Sequence, residues 1–362
     1  MTTLSEAILA APAGVALLGR LEARHFLVSE WAPAGGSSVA VASLSAGDDL
    51  PEARVVPFEV PDGTSPASVE AAVRDVQAMS LDDLLALAVE AGYGSAGPWS
   101  GSSEVELVRA YRDAAPRAAI ADAVAERFAQ IDDAGQQEWW HSNHAAEGFF
   151  ARRCFENLDD SVYDNGQFTH NGMWTTSTPA PATHQALASA WEIYPHPISR
   201  WRFPVRDGAR VFEINEPSDW VGLAMAYPTV PAHPNTAWEL PGLNDHNRPP
   251  ALAGLSNGHA ARNEIDHLVM PQWSRVAEDY DGVHLTWRGW LTTEGFVSDT
   301  PDGGVTMLRY WFSERTLWLN DVFGEPEPLP APTFEYEQGA DVTTDAARRQ
   351  QDREVLRAML GR

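Results

Sequence analysis

One carboxylate near the end of the chain stands where it could do chemistry. In Trp311-Phe312-Ser313-Glu314-Arg315-Thr316-Leu317-Trp318-Leu319-Asn320, Glu314 lies between an aromatic strand candidate (residues 308–312) and a second apolar one (residues 316–319). Such a carboxylate can accept from a sugar hydroxyl and stabilise a positive charge that develops as a glycosidic bond breaks. One preorganised contact of that kind is worth about 10²–10³ in rate. The plainer alternative is a solvated turn residue. Two earlier segments carry chemistry that would complete a site. Gly172-Met173-Trp174-Thr175-Thr176-Ser177-Thr178 is a strand that ends in four hydroxyls and breaks at Pro179. Its hydroxyls can hydrogen-bond a ribose and its Trp can stack on a flat ring; alone it also reads as an edge strand with a Ser/Thr turn. Asp279-Tyr280-Asp281-Gly282-Val283-His284-Leu285-Thr286 is a turn feeding a strand, with Tyr280 and Asp281 at its mouth.

Other signals compete. Gly254-Leu255-Ser256-Asn257-Gly258 has the letters of a nucleophile elbow, but loop-like Asn247-Arg248-Pro249-Pro250 precedes it where an apolar strand is required. His141 and His144 are spaced to share a metal on a helix, and His259, Glu264, Asp266 and His267 form a looser group. Neither has an established ligand spacing, and eleven His in the chain produce such pairs by chance. His170 and His284 could face a cleft, although strand histidines are more often structural. Seven of the tryptophans, Trp311 and Trp318 among them, read as core.

The elements that must position these residues follow from pattern and punctuation. Residues 4–21 form an apolar helix candidate, and residues 25–28, 38–42 and 55–60 are strand candidates. Ser65-Pro66 opens a helix, with Pro at the first position where its missing N–H costs nothing. Ser80-Leu81-Asp82-Asp83 starts another that stops at Gly92. Apolar residues at helical spacing from Leu107 to Phe128 predict a further helical stretch interrupted by Pro116. From Gln136 onward, aromatics, Thr and Pro take over. Strands are expected at residues 148–154, 173–177, 198–203, 210–214, 282–286, 306–311 and 316–320, and helices at 183–193, 217–227 and 272–279. Residues 228–263 read as a long loop. Glu325-Pro326-Glu327-Pro328-Leu329-Pro330 reads as a stiff linker before a charged helix at 345–360. The pattern is α+β, strand-rich after a mainly helical start. It divides into a helical accessory region (1–140), an α+β domain (141–325) and a linker with a C-terminal helix (326–362).

Composition bounds the partners. The 362 residues suffice for a large core, and 44% apolar content with 14 Trp excludes a disordered chain. A net charge of −26 repels phosphate backbones, so no broad nucleic-acid-binding surface is expected. The single cysteine, Cys154, excludes an internal disulfide framework and a multi-thiolate metal site. The N-terminus lacks a basic n-region and no run reaches the length of a membrane span, so a cytoplasmic location without membrane contact is expected.

In order and type, the hydroxyl-rich strand and Glu314 before an apolar strand resemble the ADP-ribosyltransferase-like superfamily, over about residues 145–323. The resemblance implies a split-sheet α+β core with NAD as substrate in a cleft. It implies Glu314 as the catalytic residue holding the ribose 2′-hydroxyl. Trp174, Thr176, Ser177, Thr178 and Tyr280 would contact the cofactor, and Arg152 or Arg153 would supply the first-strand cation. Ser313-Glu314-Arg315 lacks the second acid of the Glu-x-Glu form, which argues against arginine as acceptor. The acceptor, protein or small molecule, stays open. A non-catalytic binding or regulatory protein on the same fold is the alternative, with a serine or metal hydrolase behind it.

Overall fold

The computed structural model describes residues 3–29, 65–96, 117–131, 136–142, 173–177, 198–230, 267–308 and 311–330. The strand expectations at 38–42, 55–60 and 148–154, and the helix expectations at 183–193 and 345–360, lie outside them. The described residues mix helix and strand, an α+β arrangement.

Among the described residues, five helices come first. Thr3 caps α1 (Leu4–Ala10) through a reciprocal pair with Glu6, and Pro12 opens α2 (Pro12–Ser29) after a 90° bend. Residues 25–28, expected as a strand, are part of α2. A four-residue apolar run has no period of its own, and here it continues a helix already under way. Ser65 caps α3 (Pro66–Ala78), and Ser80 accepts from Asp83 N–H at the start of α4 (Leu81–Ala96). The fifth helix is α5 (Ala118–Phe128). Val69, Ala72 and Val76 of α3 meet Ile120, Val124 and Phe128 of α5 in the core, all spaced for one helix face. An ion pair lies inside this bundle. Arg117 Nε donates to Glu22 Oε2 at 2.7 Å and Ser68 Oγ to Glu22 Oε1 at 3.0 Å, with Glu22 fully buried.

Two sheets follow. The larger has the order β2 (Met173–Thr175), β10 (Arg315–Trp318), β7 (Gly282–Leu285), β4 (Val211–Ile214). Its first two pairings are antiparallel and β7–β4 is parallel. The smaller is antiparallel, β1 (Glu138–Ser142), β3 (Ile198–Arg202), β11 (Glu327–Leu329). They join where Glu138 and Thr176 exchange backbone hydrogen bonds of 2.8 and 2.9 Å, and diverge from there. Residues 327–329, expected within a linker, are thus an edge strand. Two short ribbons, β5 (Pro228–Thr229) with β6 (Met270–Pro271) and β8 (Val297–Asp299) with β9 (Val305–Met307), complete the strands among the described residues.

Side-chain alternation gives the larger sheet two different faces. Ile214, Val283, Leu285 and Leu317 point into the main core, with Trp220 from α6 (Pro217–Ala226), Trp273 from α7 (Trp273–Asp279) and Trp287 and Trp290 from α8 (Trp287–Thr293). This core runs without a break into the N-terminal bundle. A Cβ on Gly92 of α4 would lie 2.5 Å from the Trp290 ring, so only glycine admits that contact. The opposite face packs Met173 and Trp318 against Trp139, Phe203 and Phe323 under the smaller sheet. No single described helix is long and apolar enough to cross a membrane; α1 with the first part of α2 passes only as a bent pair.

Candidate functional site

Glu314 stands just before β10, after Phe312, the one non-glycine residue with positive φ (65°) among the described residues. Backbone in that region is costly for a bulky side chain and persists where the surroundings impose it. Antiparallel pairing sets Thr316 beside Thr175 and brings residue 314 level with the end of β2. The carboxylate is fully buried. It accepts from Thr176 Oγ1 at 2.5 Å, Ser177 Oγ at 2.9 Å, Ser177 N at 3.1 Å and His284 Nε2 at 3.0 Å. Burial pushes its pKa up, but His284, the Thr176 hydroxyl and the Ser177 N–H outweigh it and hold the group below the ordinary carboxylate range.

His284 is the hinge of the arrangement. Beyond β10 lies β7, where His284 is opposite Thr316, and parallel pairing sets Glu213 of β4 beside His284. The side chain is 6% exposed. Its Nε2 meets Glu314, and its Nδ1 lies 3.7 Å from Glu213 Oε1. A neutral imidazole could donate to only one of these carboxylates; an imidazolium can serve both. Glu213 is also held below the ordinary carboxylate range, chiefly by His284.

A cavity of about 470 Å³ opens over this face, between the diverging sheets. Glu213, His284, Thr316 and Trp318 line one wall, and Gln136, Gln137, Arg202, Phe203 and Glu327 are on the other side. The Trp318 indole is fixed by donating to Thr175 Oγ1 at 2.7 Å, and that hydroxyl donates in turn to Gln137 Oε1. Such a volume suits a small organic ligand. The arrangement offers a preorganised carboxylate–imidazole–carboxylate chain with one end buried and Glu213, 58% exposed, at the cavity.

Of the residues expected from the sequence, Glu314, Thr176 and Ser177 converge. Thr178, Arg152 and Arg153 lie outside the described residues. Trp174 is on the opposite face, edge-on to Trp311 (4.8 Å) and with the Arg315 guanidinium 5.5 Å over its ring. Tyr280 packs against Phe212 at 5.3 Å on the core side and does not line the cavity. The basic group that meets Glu314 is His284, whose only signal in the sequence was a histidine in a strand; Glu213 carried none. The Gly254-x-Ser256 segment, His144 and His259 lie outside the described residues, and His267 pairs with Asp302 at 3.1 Å. Among the described residues no group of three or more His, Cys, Asp or Glu is placed to hold a metal ion.

No protein-family model, no curated protein and no solved structure matches the chain.

Proposed function

We propose that the chain is an enzyme with an ADP-ribosyltransferase-like core that cleaves the N-glycosidic bond of NAD in the cavity between the diverging sheets. The observation that carries the reading is the imidazole of His284, which meets fully buried Glu314 through Nε2 at 3.0 Å and has its Nδ1 3.7 Å from the carboxylate of cavity-lining Glu213. The C1′–N bond breaks with its electron pair going to nicotinamide, and the cation left on the ribose faces the Glu213 carboxylate. Water or another acceptor adds at C1′ and its proton passes to Glu213. Glu314 acts through His284 as a positioning residue, because its own oxygens are filled by internal donors. Glu213, held below the ordinary carboxylate range by His284, is ionised at neutral pH, as stabilising the ribosyl cation requires.

A serine-hydrolase mechanism has less support, since Ser177 Oγ donates to Glu314 and not to an imidazole. The saturated hydrogen bonding of Glu314 supports a second reading, a binding protein in which this network only shapes the cavity. Nicotinamide release from NAD by the wild-type chain, Glu213→Gln and His284→Asn separates them. Turnover that falls about a hundredfold or more in Glu213→Gln, with NAD-dependent thermal stabilisation retained, fits the enzyme. Stabilisation by NAD without release fits the binding protein. Neither stabilisation nor release refutes both.

A further inference from the structure

The cavity wall across from His284 carries a cation with spare capacity. Arg202 Nη1 donates to Glu327 Oε2 at 3.0 Å across the β3–β11 pair, but its Nε is buried and has no hydrogen-bond partner. A buried donor left unpaired calls for an explanation. Arg200, two residues earlier on the strand, is the contrast: its Nε and Nη2 both donate to Glu138 Oε2, at 3.0 and 2.6 Å. Arg202 is held only by one end, and by a weak holder. Its partner Glu327 is 56% exposed. Glu327 is carried by a three-residue edge strand with Pro328 at its centre and Pro326 and Pro330 on either side, none of which can donate to a ladder.

We propose that Arg202 receives an oxyanion of the ligand, a phosphate or a carboxylate, and that Glu327 is an internal anion that occupies it until the ligand displaces it. The Nε–Nη2 edge of a guanidinium matches two oxygens of either group. The exchange replaces a one-point pair in solvent by a two-point pair in the cavity and gives Nε its acceptor. The Glu327 side chain, exposed on its proline-flanked edge strand, gives way as the anion enters. The ligand then spans the cavity, with its anion at Arg202 and its reacting centre near Glu213. This inference rests on reading the cavity as the ligand site and adds the chemical class of one end of the ligand.

Calorimetric titration at low ionic strength with inorganic pyrophosphate, and separately with succinate, tests it. One of the two anions binds the wild type saturably. Glu327→Gln binds it about two- to fivefold more tightly, the worth of an exposed ion pair removed. Arg202→Gln loses the binding, and Arg202→Lys, which keeps the charge without the fork, weakens it about tenfold. A response to pyrophosphate alone assigns phosphate; a response to succinate alone assigns carboxylate. Equal affinity in wild type and Glu327→Gln, binding that survives Arg202→Gln, or no saturable response to either anion overturns the inference. Anion binding as described without nicotinamide release leaves it standing and removes the proposed reaction. Release that is indifferent to Arg202 removes this inference alone.

Discussion

Glu314→Gln is the substitution on which the site's physical account can be weighed. The carboxylate is fully buried and receives Thr176 Oγ1, Ser177 Oγ, Ser177 N and His284 Nε2. Glutamine has the same shape. Its best orientation keeps Oε1 toward Ser177 and His284 and turns Nε2 toward Thr176, whose hydroxyl rotates to accept. Most contacts survive, and what disappears is the charge opposite the imidazole. Breaking a buried pair by removing one partner costs about 3–5 kcal/mol, and the retained acceptor puts this case near about 3 kcal/mol. Urea unfolding at pH 7 measures it. The pH dependence supplies a second check with a fixed sign. The folded pKa of Glu314 lies below its ordinary 4.5, so its contribution is complete above pH 4.5 and fades as the pH falls through the depressed value. The gap between wild type and Glu314→Gln must therefore narrow on acidification below 4.5. A gap under about 0.5 kcal/mol at pH 7, or one that does not narrow in acid, refutes the account.

Three further outcomes are expected. Arg117→Ala leaves Glu22 buried without its ion-pair partner and lowers stability by about 3–5 kcal/mol, read by urea unfolding; a loss below about 1 kcal/mol would mean the pair is not buried in solution. Gly282→Ala sets a Cβ 2.8 Å from the Trp318 ring, so the indole must move from Thr175. It costs about 1–3 kcal/mol and changes the near-UV circular dichroism, and a wild-type spectrum would contradict the packing. Phe312→Val puts a β-branched side chain at φ 65° and removes a ring that lies 5.9 Å beneath the Arg315 guanidinium. A loss of about 2 kcal/mol in the unfolding midpoint analysis is expected, and an unchanged midpoint counts against the left-handed backbone.

Where a residue's local chemistry decided its conformation, the sequence was readable. Ser65-Pro66 opens α3 because a hydroxyl and a missing N–H suit a helix start whatever surrounds them. The strands at 198–202, 211–214, 282–285 and 315–318 fall within or beside their expected ranges. Thr286 shows where such reading stops. It was assigned to the end of a strand, yet its Oγ1 accepts from Gly289 N at 3.0 Å and starts α8, a helix too short and too aromatic to show a period. Residues 327–329 have the composition of a linker, and only β3 beside them makes them a strand. For the site, Glu314, Thr176 and Ser177 were legible as chemistry. Their meeting with His284 and Glu213 was not, because it depends on the register of four strands separated by long stretches of chain.

Strand alternation also explains why the fold takes Trp174 elsewhere, whereas Tyr280, the C-cap of α7, is held on the core side by Phe212. In a strand, adjacent residues serve opposite faces, so Thr175 and Trp174, or His284 and Val283, cannot line the same cavity. The Trp-rich face is sealed against α6, α7 and α8, and α8 is itself braced by α4 at Gly92. The polar row of Thr175, Thr316, His284 and Glu213 therefore stands on a sheet whose other side is tightly packed. A carboxylate–imidazole chain is useful to a reaction only if its dipoles are already aimed when charge develops, since reorientation at that moment consumes the stabilisation they supply. Here the aim is set from both ends. Glu314 holds Nε2 from within the protein, and the parallel pairing of β4 with β7 fixes Glu213 next to Nδ1. The described helices of the N-terminal bundle line none of the cavity, and they bear on it through the rigidity they lend to the sheet.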